Sequence, residues 1–523
     1  MQFKTAVLNF LLRCMQILVA PFFWIRARLP TKKLPPPTSK LLEYSASQLA
    51  VKIRQRELAS YDVIRAYIER IQQVNPQLNA VVEDRFEQAL VEAKRADEEI
   101  AACSSVEKLA LEKPLLGVPL TVKESCSVEG MKYTVGSLPR KNIRAANDGG
   151  AVANLRRAGV IILAVTNTPE YCMCCETYNS VTGRTNNPYD LRRSSAGSSG
   201  GEGALLGCGA SCVGVGSDIA GSIRIPAMWC GIFGHKPSAG IIPLTGHFPL
   251  SKDPDFANYL TIGPIVRYAE DLTPMMYVMS GDNAPALRLY EKVDLAKVTV
   301  YLMKDCGAKK LTLPVQSEIG IAIDSAANYL KNVCSKVEEV RFTEMKYSLL
   351  YSLVLILGTS QIPNVLQDDN DPKKSKNVFW ETIKFIFRLS KYSGPGLAFS
   401  WLARCSTSII TPSMLETNKI RVAELKKKIT STLGEDGVLL YPNFPTSAVL
   451  HYESYAKLIG AIYTVIFNIL GLPSSSVPMG RDSKGMPIGI QIVGAPNQDR
   501  LCIAIAQELE KGFGGWVPPT YSI

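Results

Sequence analysis

Between residues 183 and 240 the chain is crowded with glycine and serine, side chains too small to fill an ordinary core but suited to close approach of backbone to a ligand. Hydrophobic bulk must come from elsewhere. Residues 115–122, dominated by Leu, Val and Pro, predict a buried strand, and residues 160–166, after an Arg-Ala-Gly turn, predict another. Near the C-terminus Ile488, Ile490 and Ile492 recur at period two within residues 486–493, the pattern of one more strand. Val63, Ile64, Tyr67, Ile68 and Ile71 recur at helical spacing behind Ser60, read as an N-cap, and Asn75-Pro76 is expected to stop that helix. A polar helix from about Glu83 to Ala102 follows. Strand, glycine-rich loop and helix alternate as in an α/β protein, and no long internal repeat is present.

Composition narrows the class further. At 523 residues and 46% hydrophobic, the chain can bury a large core and does not read as disordered. The formal charge of +11 invites nucleic acid, yet the basic residues form no dense tract of the kind a nucleic-acid arm carries. Cys172 and Cys175 make the one CxxC spacing among thirteen cysteines, and no second pair or nearby histidine completes a zinc site. Reduced thiols are the reading.

The first 25 residues differ from the rest. Residues 6–25 form an apolar stretch of about 20 residues, the length that crosses roughly 30 Å of hydrocarbon as a helix. Asn9, Arg13 and Gln16 interrupt it, so it either spans with a partner for Arg13 or lies in the interface as an amphipathic helix. A cleaved signal peptide fits less well, because the run is broken and lacks a small-residue cleavage site. Arg26, Arg28, Lys32 and Lys33 outweigh Lys4, which by the positive-inside tendency turns the body toward the cytosol. Residues 30–37, with three consecutive prolines, read as a stiff exposed spacer.

Chemistry concentrates in the small-residue region. The chain has three histidines, His235, His247 and His451, so a Ser-His-Asp site has few bases to draw on. Gly197-Ser198-Ser199-Gly200-Gly201 matches a nucleophile elbow in letters, but residues 190–195 before it do not read as the buried strand an elbow needs. Ser222 follows in Asp218-Ile219-Ala220-Gly221-Ser222-Ile223-Arg224, where small residues let consecutive N–H groups converge on an oxyanion. Lys123 ends the first predicted strand, where burial would favour its neutral form and make it a base.

Together, Gly117-Val118-Pro119-Leu120-Thr121-Val122-Lys123, Gly197-Ser198-Ser199-Gly200-Gly201 and Gly216-Ser217-Asp218-Ile219-Ala220-Gly221-Ser222-Ile223-Arg224 resemble the amidase signature family. Gly183-Arg184-Thr185-Asn186-Asn187-Pro188, Gly231-Ile232-Phe233-Gly234-His235-Lys236-Pro237 and Gly471-Leu472-Pro473 extend the resemblance over about residues 40–520, closest to the type-2 fatty-acid amide hydrolases. The resemblance implies a large mixed twisted β-sheet covered by helices. It implies Ser222 as the acylated nucleophile, Ser198 as a bridging serine behind a cis peptide from Gly197, and Lys123 as the final proton acceptor. The backbones of Ile219, Ala220, Gly221 and Ser222 would form the oxyanion hole, Ser199, Asp218 and Arg224 would support it, and Met173 would line the acyl pocket. Neither metal nor cofactor is implied.

The expected organisation is a membrane anchor over residues 1–28, a spacer over 29–39 and an amidase domain over 40–523. Residues 376–404 mix Phe379, Trp380, Ile383, Phe385, Ile386, Phe387, Phe399 and Trp401 with Lys384, Arg388 and Lys391, an amphipathic segment that reads as a second membrane contact or as an ordinary core helix pair. The expected partners are a lipid amide and a membrane, such as the endoplasmic reticulum or a lipid-droplet surface, with a homodimer allowed and nucleic acid excluded. A tRNA-dependent amidotransferase subunit is the rival within the family, disfavoured by the N-terminal apolar segment. Two departures from the family stand out, Ala196 and Ala220 at positions where glycine is usual. If Ala220 needs positive φ, it would strain the oxyanion loop by about 1 kcal/mol and lower activity. The other rival is therefore a catalytically silent lipid-binding protein of the same fold.

Overall fold

Short apolar runs separated by turns assemble into one mixed sheet. The computed structural model of the chain describes residues 20–308, 312–359, 361–368 and 374–521. Its strands are β1 (Val81–Asp84), β2 (Pro119–Lys123), β3 (Ile161–Thr166), the short pair β4 (Tyr178–Asn179) and β5 (Gly183–Arg184), β6 (Val213–Asp218) and β7 (Phe233–Lys236). Then follow β8 (Thr261–Val266), β9 (Thr299–Leu302), β10 (Lys336–Glu339), β11 (Gly437–Pro442), β12 (Ser474–Arg481) and β13 (Pro487–Gly494). Eleven of them join in the order β1-β3-β2-β6-β8-β7-β12-β13-β11-β9-β10. The three strands read from the sequence are β2, β3 and β13, each within a few residues of its expected bounds.

The centre of the sheet is what matters for chemistry. β2 runs parallel to β3 on one side and to β6 on the other, with Val122 opposite Val215 in register. Parallel neighbours end at the same edge, so the residues following β2 and β6 meet there although the chain separates them widely. All five residues of β2 and all six of β6 are buried. Helix Gly200–Gly207 packs so tightly on β6 that a Cβ added at Gly214 would lie 2.0 Å from Glu202 Oε2. The glycine-rich stretch is therefore a requirement of packing as well as of ligand access.

Two helical expectations change in detail. The helix expected from Ser60 spans Ser60–Leu78, with Ser60 as its first helical residue. Its first N–H groups are held by Asp97, whose Oδ1 accepts from Ser60 at 2.7 Å and Oδ2 from Tyr61 at 3.0 Å. Asn75-Pro76 does not stop it, because Pro76 sits in the last turn and left-handed Asn79 (φ 52°) closes it. The next helix is Phe86–Ala102, since Glu83 belongs to β1.

Residues 6–19 of the apolar N-terminal segment lie outside the described residues. Residues 20–26 are helical and leave Phe22, Trp24 and Ile25 exposed, while Arg192 donates to the carbonyls of Ala27, at 2.8 Å, and of Leu29. The spacer is anchored rather than free: Leu34 is buried and Arg70 donates to the Pro35 carbonyl at 2.8 Å. Among the described residues no helix is long and apolar enough to cross a membrane. The 376–404 segment forms helices Val378–Ile386 and Gly394–Ile409, with Phe379, Trp380, Phe385, Ile386, Phe387 and Leu389 exposed.

β7 carries an unusual burden, a fully buried Lys236 whose Nζ donates to the Pro237 carbonyl at 2.7 Å. Burial, reinforced by the Arg224 charge, pushes its ammonium down to about 7. The unfolded chain holds that proton up to a pKa of about 10.4, so between those values unfolding takes up a proton and stability rises with pH. Lys236→Met should accordingly gain most over the natural chain at pH 7 and lose that advantage toward pH 10, read as denaturant midpoints across the range.

Candidate active site

Lys123 closes β2 with no exposed surface, and its Nζ donates to Ser198 Oγ at 2.6 Å and to Ser217 Oγ at 2.9 Å. The first contact unites two residues that the sequence alone holds 75 positions apart. Ser198 is 1% exposed and precedes helix Gly200–Gly207, and the Gly197–Ser198 peptide is cis. Residues 190–195 form no strand, so the elbow reading fails on geometry. Ser222, at 9% the most exposed of the three expected catalytic groups, stands beside this pair because Ser199 N–H donates to the Ser222 carbonyl at 3.2 Å. Among the described residues no hydrogen bond joins the Ser198 and Ser222 hydroxyls.

The loop that presents Ser222 is tied down by one carboxylate. Asp218 Oδ1 accepts from the Gly221 N–H at 2.8 Å, and Oδ2 accepts from the Ile223 N–H at 3.1 Å. Arg224 closes the knot through Nη2 at 3.0 Å and Nε at 3.1 Å, then reaches Gln491 Oε1 at 2.9 Å and Asn468 Oδ1 at 2.6 Å. Burial pushes the Asp218 carboxyl up, but the Arg224 guanidinium and the backbone donors hold it well below the usual carboxylate range.

This knot corrects the expected oxyanion hole. The Gly221 N–H, one of the four expected donors, is taken by Asp218. Gly221 has φ +107° and its missing Cβ would lie 2.3 Å from Thr464 Oγ1, so glycine is required there. Ala220 does not have positive φ, and the anticipated strain at it is absent. The strain lies at the other departure: buried Ala196 has φ +66°, a conformation costing an L-residue about 1–2 kcal/mol. Thr177 holds it there, donating to the Ala196 carbonyl from both its N–H at 3.1 Å and its hydroxyl at 2.9 Å.

Ser199 is fully buried and its hydroxyl donates to the Ser217 carbonyl at 3.4 Å. Met173 packs against an apolar cluster of Tyr171, Val365, Leu366, Val378, Tyr392 and Leu397, joined by Phe248 and Trp401. The 376–404 segment thus supplies one wall of the apolar cluster around Met173. Buried Glu170 fastens that wall, accepting from the Ser393 N–H at 2.7 Å and the Ser137 hydroxyl at 2.9 Å.

Several residues escaped sequence reasoning. Ser217 lies inside a quoted motif, and strand alternation could have placed it on the lysine side, opposite in facing to Asp218. Glu202 takes the Thr121 hydroxyl at 2.7 Å and the Thr166 hydroxyl at 2.8 Å, and burial pushes its carboxyl up to about 8. Asn468 and Gln491 carry no local signal, since they meet Arg224 across 244 and 267 residues. A Ser-His-Asp arrangement does exist, His235 contacting Ser475 Oγ at 2.8 Å and Asp499 Oδ1 at 3.0 Å, but all three are fully buried where no substrate reaches.

Residues 62–503 match the Amidase family. Fatty-acid amide hydrolase 2-A of Danio rerio is 40% identical over 511 residues, covering 96% of this chain and 95% of its own length. Fatty-acid amide hydrolase 2 of Homo sapiens is 41% identical over 492 residues, 92% of each chain. Among solved structures a bacterial aryl acylamidase of the amidase signature family superimposes with TM-score 0.73 at 24% identity, over 90% of this chain and 97% of its own. Fold and sequence relationships define an amide hydrolase. The chain belongs to the amidase signature family.

Removing the Asp218 carboxylate would strand Arg224 as a buried unpaired cation and free the loop donors. Asp218→Ala should therefore cost about 3–5 kcal/mol of stability, measured by denaturant unfolding, on top of any loss of activity.

Proposed function

We propose that this chain is a membrane-associated serine amidase that hydrolyses acyl amides, fatty-acid amides in particular, through an acyl-enzyme on Ser222. The observation that carries the reading is the dry 2.6 Å contact of Lys123 with Ser198, set beside Ser222 by the Ser199 backbone. Ser222 Oγ attacks the amide carbonyl while its proton passes to Ser198 and the Ser198 proton passes to Lys123 Nζ. The N–H groups of Ile219, Ala220 and Ser222 hold the resulting oxyanion. Returning the proton along the same path expels the amine, and water then hydrolyses the ester to release the acid.

The substrate class draws on the names of the two 40–41% identical relatives and on the apolar cluster beside Met173. Residues 1–28 act as the anchor, 29–39 as the spacer and 40–523 as the catalytic domain, docked on an internal membrane. The exposed apolar side chains at both Phe22–Ile25 and Phe379–Leu389 support a lipid-facing side, since patches of that kind are rarely left to water. A silent lipid-binding protein is the alternative, favoured by the strained Ala196.

A fluorophosphonate probe should label the natural chain and not Ser222→Ala, and Lys123→Ala should slow labelling by about 10²–10⁴-fold. Folded natural protein that resists the probe would favour the silent reading. With the N-terminal anchor deleted, the double variant Trp380→Ala/Phe387→Ala should lose binding to liposomes in flotation; undiminished binding would remove the second membrane contact.

A further inference from the structure

Lys123 makes two hydrogen bonds, and the proposed relay uses one of them. The other, to Ser217 Oγ at 2.9 Å, leads away from Ser198. We infer that Ser217 is a positioning residue for the proton relay, the acceptor that turns the lysine lone pair toward Ser198. The inference rests on the Lys123 relay proposed above.

A neutral amine has one lone pair and two N–H bonds. To accept a proton from Ser198 across 2.6 Å, Lys123 must aim the lone pair at Ser198 Oγ and send its N–H bonds elsewhere. Burial leaves little choice: Lys123 and Ser125 have no exposed surface and Ser217 is 2% exposed, so solvent is a poor substitute acceptor. Ser217 Oγ takes one N–H, and its own proton has Ser125 Oγ as a neighbour at 3.5 Å. Once Lys123 is protonated, the same Ser217 bond persists as a charge-assisted one, so proton arrival requires no rearrangement at the nitrogen. Without Ser217 an N–H would compete for Ser198 and point at the oxygen that must give up its proton.

The position of Ser217 is set by the sheet. It pairs with Ile262 of β8 while its strand lies parallel against β2, which fixes its Cβ relative to Lys123. Its backbone carbonyl receives the Ser199 hydroxyl at 3.4 Å, so one strand residue touches both Lys123 and the neighbour of Ser198. No carboxylate or imidazole bonds to Lys123 among the described residues, so the work falls to this hydroxyl.

The test compares Ser217→Ala, Ser217→Thr and Lys123→Ala in the full chain, with a long-chain primary amide as substrate and thermal midpoints measured alongside. Ser217→Ala should lower kcat about 10–100-fold with KM nearly unchanged, the cost of a misaimed base, and Ser217→Thr should restore most of the rate because it keeps an oxygen on Cβ. If Ser217→Ala lost its thermal transition, Ser217→Cys against Ser217→Thr would make the same comparison, sulfur being a weak acceptor. Natural kcat in Ser217→Ala, or equal loss in the Ala and Thr variants at unaltered stability, overturns the positioning role. Near-natural kcat in Lys123→Ala instead overturns the relay itself.

Discussion

The parallel pairing of β2 with β6 is the constraint on which the rest of the site hangs. Parallel strands begin and end together, so the end of β2 delivers Lys123 to the point where β6 delivers Ser217, Asp218 and the loop to Ser222. An antiparallel pairing would have put those ends on opposite edges. The tight helix after Ser198 completes the arrangement, and it fits only because Gly214 offers no side chain where Glu202 enters. Close packing, usually a matter of stability, here determines which polar atoms meet.

The polar interior so created is nearly dry, and each charge in it is handled differently. Asp218 and Arg224 neutralise one another and consume the loop N–H groups that would otherwise be orphaned. Glu202 leans on two strand hydroxyls and is driven toward its neutral acid. Lys236 has a single carbonyl and is driven toward the neutral amine. Among the described residues Lys123 is hydrogen-bonded to hydroxyls alone, those of Ser198 and Ser217. The paired charges therefore build the loop, and the hydroxyl-bound amine lies against Ser198.

Away from this centre, helices Val378–Ile386 and Gly394–Ile409 do two jobs with opposite faces. Val378 and Leu397 pack inward with Met173 and Tyr171, while Trp380, Ile386 and Phe387 face outward. The segment thus packs one face into the body, as a core pair would, and leaves an apolar face exposed. Periodicity showed that the segment was amphipathic; which face met the body depended on Glu170, fastened to Ser393 from 223 residues away.

Local pattern was enough for β2, β3 and β13, because a buried strand needs continuous apolar residues, and the motifs at Lys123, Ser198 and Ser222 were legible as segments that the fold brings close together. It was not enough for the end of the first long helix, which carries Pro76 inside its last turn and is closed by left-handed Asn79. Nor did it separate Ala196 from Ala220, since φ is a property of the closed loop and not of the letter. What the sequence determined by itself was the chemical inventory and the class of fold that could hold it. Tertiary structure alone decided that Gly221 serves Asp218 rather than an oxyanion, that Ser217 shares Lys123, and that Asn468 and Gln491 support Arg224. Each of those choices is a hydrogen bond between distant segments, and such bonds exist only after the sheet has brought the segments together and excluded the water that would compete for them.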